Sequence, residues 1–326
     1  MRRPIAVITG DVHFTLQTLD LATAVLRQGL HVANHIQVPF ILNGDTLDGK
    51  AIVRGEIMNR LLEIVKSSPV EIIINTGNHD LLSAKAEESA LNFLAPYCTV
   101  VRSPVAYRGF NFIPYQITTE KMQQALALFA PGETLIVHQG VQDAFLGHYV
   151  QDTTSLPRDA FSDFRVIASH YHRRQDIACG DRTFSYIGSP YSITFTEAED
   201  GPKGINILYN NGDLELVPTN LRKHVKVLRP VSEVMLPIPG LKPTDLLWLQ
   251  VSGPYSELEK LDKAAVGQAH LGHQNFKLEK LSTDAKIEIP GQSAMSNSEL
   301  LDEVIEAGTE TKSVKAELKS FWRTLV

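Results

Sequence analysis

Cysteine is nearly missing from this chain. Its 326 residues hold only Cys98 and Cys179, far apart in sequence. That excludes a disulfide framework and a thiolate zinc site, and it fits a reducing compartment. Long apolar runs are also missing. Runs such as Ile72-Ile73-Ile74 are strand-sized and far too short to cross a bilayer. There is no excess of positive charge either: 31 Lys and Arg against 37 Asp and Glu leave a formal charge of −6. This argues against a non-specific nucleic-acid coat protein. It does not exclude an enzyme of nucleic acids, because a local basic stripe or a partner can supply phosphate contacts. Arg173 and Arg174, flanked by Arg165 and Arg182, are such a local cluster, or else an ordinary solvated loop. Internal repeats and low-complexity tracts are absent.

At 43% hydrophobic residues, the chain can bury a sizeable core. Met1-Arg2-Arg3-Pro4-Ile5 opens like a basic leader, but its apolar stretch stops at Thr9-Gly10-Asp11 without a small-residue cleavage pattern. It reads as the first strand of a cytosolic protein. Ile5–Ile8, Pro39–Leu42 and Val70–Ile74 read as buried strands. Leu16–Val32 and the stripe Ile52, Ile57, Leu61, Leu62, Val65 read as the helices between them. This β-α-β-α-β order predicts a parallel sheet with right-handed crossovers.

The alternation then loosens. Val101–Ile113 reads as a hairpin, and Leu135–Val137 and Val166–Ala168 as short strands. Phe184–Ile187, Ile205–Tyr209 and Leu214–Val217 read as antiparallel strands, with Asn210-Asn211-Gly212-Asp213 as a turn. A mixed second sheet against the first predicts a four-layer α/β/β/α sandwich. After Arg222, a proline-rich stretch leads to a small β-α-β module: strand Leu246–Val251, helix Ser256–Val266, strand Asn275–Leu281. Ser296-Asn297-Ser298-Glu299 has the pattern of a capping box, and Val314, Leu318, Phe321 and Leu325 form a helical stripe. The expected units are 1–222, 223–290 and 291–326.

Five motifs rich in metal-seeking side chains follow one another in the first two-thirds of the chain. They are Asp11-Val12-His13, Gly44-Asp45-Thr46-Leu47-Asp48, Gly77-Asn78-His79-Asp80, His138 in Val137-His138-Gln139-Gly140, and His170-Tyr171-His172. Each alone has an ordinary reading: a helix cap, a turn, a buried histidine, a pair of surface histidines. Together, most of them just after an apolar strand, they point to a shared centre at the carboxyl ends of the strands. Carboxylate, amide oxygen and imidazole in this mixture suit Mn²⁺, Fe²⁺ or Zn²⁺; the set is too rich in nitrogen for Ca²⁺. Two such ions about 3.5–4 Å apart activate a water and clamp both oxygens of an in-line displacement at phosphorus. Asp45 is the natural bridging carboxylate. His79, next to Asn78, is the candidate general acid, with Asp48 expected to orient its ring. His31, His35, His148, His224, His270 and His273 fall outside the pattern.

The set resembles the calcineurin-like metallophosphoesterase superfamily, whose pattern is D-x-H, G-D-x-x-D, G-N-H-[DE], a lone His and G-H-x-H. The resemblance spans about residues 5–190. Ser169 stands where the last motif normally has Gly. Within that superfamily the chain looks most like the SbcD-like nuclease subunits of double-strand-break processing complexes, phage recombination endonucleases above all. The residues behind this are Phe112-Ile113-Pro114-Tyr115, Tyr186-Ile187-Gly188-Ser189-Pro190, Glu197-Ala198 and Lys203-Gly204.

The resemblance implies one metal on Asp11, His13, Asp45 and His172, and a second on Asp45, Asn78, His138 and His170. Manganese is the leading ion, with Mg²⁺, Fe²⁺ or Zn²⁺ as alternatives, and His79 is the catalytic histidine. Asp48 stands where cellular members often carry a second histidine. The resemblance further implies a DNA-capping module after Arg222, C-terminal helices that grip an SMC-like coiled-coil ATPase, and a homodimer. The location implied is the cytoplasm, that of the host if the chain is phage-encoded. Two other readings stay open: a small-molecule or cyclic-nucleotide phosphodiesterase or phosphatase, and a scaffold with a decayed site.

Overall fold

The computed structural model describes residues 1–49, 52–83, 88–147, 150–270 and 275–284. The expected capping box at Ser296, the helical stripe from Val314 to Leu325, and residues His148 and His273 lie outside them.

The described chain is mixed α/β. Strands and helices are numbered here in chain order. The first six-stranded sheet holds β1 (Pro4–Thr9), β2 (Phe40–Asn43), β3 (Ile72–Asn75) and β4 (Thr99–Val101), with β11 (Gly204–Tyr209) and β12 (Leu214–Pro218) beyond β1. β1 to β4 are parallel, as the alternation of elements demands, while β11 and β12 add antiparallel at the β1 side. Helices α1 (Leu19–Ile36) and α2 (Gly55–Lys66) make the crossovers. α1 ends at Gln37 in the left-handed region, whose amide reaches back to the last turn. α2 starts at Gly55, so Ile52, expected on its apolar stripe, lies outside it and is 82% exposed.

The second six-stranded sheet runs β5 (Val105–Tyr107), β6 (Phe110–Ile113), β7 (Thr134–His138), β8 (Arg165–Ser169), β10 (Arg182–Tyr186) and β9 (Gln175–Cys179) in space. Two sequence expectations change here. Of Val101–Ile113, β5 and β6 do form the expected antiparallel hairpin and open the second sheet, while Val101 ends β4 in the first. Phe184 belongs to the second sheet, parallel to β8, whereas Ile205 and Leu214 belong to the first. β9 has no apolar run to betray it, since only Ile177 and Cys179 are buried along it.

Apolar alternation places the cores. Val7, Phe40, Leu42 and Ile74 face α1 and α2 with Leu26, Leu30 and Leu61. Ala6, Ile8, Ile41 and Ile73 face the other way and meet Phe112, Ile136 and Ile167 of the second sheet. That sheet's remaining face packs on α3 (Thr119–Leu126) through Met122 and Leu126. Thr118 caps α3 with its side chain, which accepts from the Lys121 amide.

A third sheet, β13 (His224–Pro230), β14 (Leu246–Gly253) and β15 (Phe276–Ser282), is all parallel with β14 central. β13 was not expected, and the expected single helix is two: α4 (Tyr255–Leu258) and α5 (Lys263–His270). Leu247, Leu249 and Val251 form its own core with Leu258 and Val266. No helix among the described residues is long and apolar enough to cross a membrane.

Candidate metal centre

The five motifs meet at the carboxyl ends of β1, β2, β3, β7 and β8. Among the described residues, three sets of potential ligands converge, and all lie here: Asp11, His13 and His172; Asp45, His138 and His170; and His13, Asp48 and His79. The backbone is bent to bring them in. Asp11, His13, Asp45 and His170 have φ of 50°, 48°, 47° and 108°. Each such conformation costs about 1–3 kcal/mol and persists only where the surroundings over-determine it. Glycine is required where these loops touch. A Cβ on Gly44 would stand 2.0 Å from Nδ1 of His138, and one on Gly77 would stand 2.3 Å from Oδ1 of Asp45.

Hydrogen bonds fix the imidazole tautomers and with them the direction of the lone pairs. His138 Nδ1 donates to the Asn43 carbonyl at 2.9 Å, which leaves its Nε2 lone pair 3.2 Å from Asn78 Oδ1 and 3.3 Å from Asp45 Oδ2. His13 Nδ1 donates to Asp48 at 3.0 Å, and His172 Nδ1 to Glu197 at 3.0 Å. Their two Nε2 atoms then face each other at 3.1 Å. Nitrogen and oxygen acceptors brought this close, with the other ring nitrogens already committed, repel unless a cation or a proton lies among them. The donor set therefore fits divalent cations: imidazole, carboxylate and one amide oxygen, with His13, His138 and His172 oriented from behind.

Asp45 occupies the middle. Its Oδ1 accepts from the His79 amide at 2.8 Å, and its Oδ2 is 3.3 Å from His138 and 3.9 Å from His13. Burial opposes its ionisation, but the imidazoles of His138, His13 and His79 outweigh that and hold its carboxyl well below the usual range. Burial likewise opposes protonation of His138, yet the Asp45 carboxylate raises it to about 9. Burial and the neighbouring His138 lower His170 to about 3. Asp11 is fully buried, and its two oxygens each receive the His170 amide at 3.1 Å, tying the first motif to the last.

Asp48 departs from expectation. Its carboxylate binds His13, and its main-chain carbonyl meets His79 Nδ1 at 2.7 Å. The carbonyl thus does the orienting work expected of the side chain. Nε2 is the ring nitrogen of His79 outside that hydrogen bond.

Several supporting residues went unread in the sequence. Asn43 and Asn75 end β2 and β3 in register and cross-link the two sheets below the centre. Asn75 donates to Asn43 Oδ1 at 2.9 Å and to the Ile113 carbonyl at 3.2 Å, while Asn43 donates to the Val137 carbonyl at 2.8 Å and to Ser169 at 3.1 Å. The recurring Asn at the end of two apolar strands was a legible signal. Ser169 is itself fully buried in that network. Asp80, also fully buried, accepts from the amides of Gly77 at 2.9 Å and Leu47 at 2.9 Å and so joins the second motif to the third. Burial and the Asp45 charge push its carboxyl up to about 7.

The Tyr186–Gly204 segment forms the support of His172. Glu197 receives that imidazole, and Lys203 Nζ binds Glu197 at 2.9 Å and the His172 carbonyl at 2.7 Å. Gly188, at φ +73°, passes so close that a Cβ there would stand 3.0 Å from the His172 carbonyl. Burial opposes ionisation of Glu197, but His172 and Lys203 lower its carboxyl to about 2. Of the arginines, Arg165 donates to the Asn211 carbonyl, Arg174 to Asn206, and Arg173 to the Gly147 carbonyl. Outside the pattern, His224 bonds Ser192, His270 bonds the Val234 carbonyl, and His31 and His35 are exposed on α1.

No family model matches the chain, and no curated protein matches it. Solved structures similar to it include GAP50, the anchor in the inner membrane complex of Plasmodium, at 13% identity and a TM-score of 0.41, over 67% of this chain and 85% of that one. They also include the Pseudomonas putida nuclease MPE, at 13% and 0.32, over 65% of this chain and 87% of that one. A third is the phosphopantetheinyl hydrolase of Mycobacterium tuberculosis, at 11% and 0.35, over 58% and 90%. Likeness at this level carries no argument, and the chemistry rests on the side chains themselves.

Proposed function

We propose that the chain is a two-metal phosphodiesterase of the calcineurin-like metallophosphoesterase superfamily, acting as a DNA nuclease of the SbcD-like or phage recombination type. The observation that carries the reading is the pair of facing Nε2 atoms of His13 and His172, 3.1 Å apart with both Nδ1 atoms bonded to carboxylates. In this reading Asp11, His13, Asp45 and His172 would hold one cation and Asp45, Asn78, His138 and His170 the other, with manganese the leading ion ahead of Mg²⁺, Fe²⁺ or Zn²⁺. When bound, the ions supply Lewis acidity and an activated water for attack on phosphorus. The chain's own residues do the rest. Asp45 holds the two halves of the site together. His79, fixed through Nδ1 by the Asp48 carbonyl, carries a proton at Nε2 for the leaving oxygen. Glu197, Asp48 and the Asn43 carbonyl keep the ligand rings in their tautomers.

The same reading takes the two large sheets as the inner layers of an α/β/β/α sandwich, residues 1–222 as the nuclease unit and 223–290 as a capping module for DNA. It places the protein in the cytoplasm as a homodimer. It assigns residues 291–326 to an SMC-like ATPase partner: deleting residues 312–326 should abolish partner binding and leave manganese-dependent cleavage intact. The formal charge of −6 favours a second reading, a phosphodiesterase of small or cyclic nucleotides.

Digestion of end-labelled duplex DNA with manganese, magnesium or chelator, beside His79→Ala, separates the two. Manganese-dependent shortening lost in the variant supports the nuclease. Hydrolysis of an aryl phosphodiester with DNA left intact, even with the ATPase partner added, replaces it with the small-substrate enzyme.

A further inference from the structure

A cavity of about 470 Å³ lies between the module and the large domain. Its apolar lining includes Leu146, Val150, Phe195 and Trp248, and its charged lining is Lys226 and Glu199. Leu146 and Val150 at its mouth are 49% and 59% exposed. The cavity adjoins the metal centre through a single turn. Phe195 and Glu197 belong to the same 3₁₀ turn, and Glu197 Oε1 is 3.0 Å from His172 Nδ1.

The module presents its open sheet face here. Residues pointing away from its core come into line across the strands by register: Lys226 beside Trp248, and Trp248 beside Lys277. Lys277 Nζ stands 3.6 Å from the centre of the Trp248 ring and Lys226 Nζ 4.8 Å. Phe195 meets the same indole edge-on at 5.6 Å. Glu279 accepts from Trp248 Nε1 at 2.9 Å, which fixes the ring plane. The two exposed lysines lie over the indole, beside an apolar slot, so a base that stacks on the ring takes the place of an ammonium group, which then turns to its phosphate.

That pairing selects a nucleotide over a purely apolar ligand. A base stacks on an aromatic face, and its phosphates take the ammonium groups. An apolar peptide or lipid would leave Lys226 and Lys277 without use. We infer that the Lys226–Trp248–Lys277 row and the cavity beneath it form a stacking subsite for an unpaired nucleotide of single-stranded DNA, next to the metal centre. The inference rests on the nuclease reading and adds to it: the enzyme holds an unstacked base beside the scissile phosphate, so single strands and frayed ends are bound better than intact duplex.

The test uses the full chain in chelator, so that nothing is cut. Fluorescence anisotropy compares labelled oligothymidylate with an abasic strand of equal length. Wild type should prefer the strand with bases, and Trp248→Ala should weaken that strand about 10-fold while leaving the abasic strand unchanged. Trp248→Phe, which keeps an aromatic face, should retain most of the preference. It also guards against a folding defect in the alanine variant, which circular dichroism checks. Lys226→Ala with Lys277→Ala, both on the surface, should lower the slope of log affinity against log salt by about 1.4, two phosphates' worth. Equal affinity of wild type for both strands, or equal weakening of both by Trp248→Ala, overturns the subsite while manganese-dependent DNA cleavage keeps the nuclease reading. Loss of that cleavage as well, with aryl phosphodiester still hydrolysed, overturns both.

Discussion

The metal centre and the C-terminal three-stranded module obey opposite rules. In the module, local pattern and structure agree. β14 alternates buried and half-buried residues along its whole length, and its inward side chains make their own core. At the metal centre local preference is overruled. Four non-glycine residues are held at positive φ, acceptors point at acceptors, and the carboxylates of Asp11 and Asp45 are buried among histidines. The contrast teaches where to look for function. Strain and frustrated polar contacts concentrate where ligands must converge, and regular alternation gives a sheet that is stable by itself and whose outward face can carry a binding row.

Breaking the shared carboxylate should give the largest difference between the two regions. Asp45→Ala is expected to release both metals and to bring turnover to background, with the module's fold unchanged by circular dichroism. Two ions per chain retained in elemental analysis would refute the bridging role. Next is His79→Ala, which on the proposed reading removes a proton donor and no ligand. Turnover should fall about 10²–10⁴-fold with metal content unchanged. Activity near that of wild type would mean that the proton comes from elsewhere.

Glu197→Gln tests support at one remove. Metal affinity should drop about 10–100-fold, the usual cost of altering a partner behind a histidine ligand. The same variant sharpens the comparison through acid. A carboxyl held at about 2 in the fold and near its ordinary 4.5 when unfolded stabilises above that value, and the contribution is lost as pH falls from about 4.5 towards 2. The wild-type apoprotein should lose stability over that window, and the variant should show a flatter acid limb in thermal melts. The smallest effect on the centre is expected from Leu249→Ala in the module core. It should cost about 2–5 kcal/mol of local stability, read by hydrogen exchange on β14, while metal content stays the same. Loss of metal together with exchange protection would show that the two regions fold as one.

The sequence displayed the centre better than the fold around it. Ligands follow apolar strands, so Asp11, Asp45, Asn78, His138 and His170 were visible as strand-end residues, and their loops do meet. Pairing partners were less visible, because a short apolar run does not say which sheet it joins; the division of Val101–Ile113 and the placement of Phe184 depended on contacts far along the chain. Short strands with few buried residues, such as β9 with Ile177 and Cys179 alone, left too brief an alternation to read. Supporting residues were hidden for another reason. Glu197 and Asn43 act through distant partners, at separations of 25 and 95 residues, so the motif around Glu197 and the Asn recurring at two strand ends mark the positions without saying which histidine each one orients.

The asparagine link below the centre has a mechanical consequence. Asn43 and Asn75 pin the ends of β2 and β3 to β6, β7 and β8, so donors contributed by one sheet cannot drift relative to those of the other. A cage of that kind has little freedom to resize around its guest. It would select an ion by radius, and an oversized cation would have to shed protein donors rather than spread them apart.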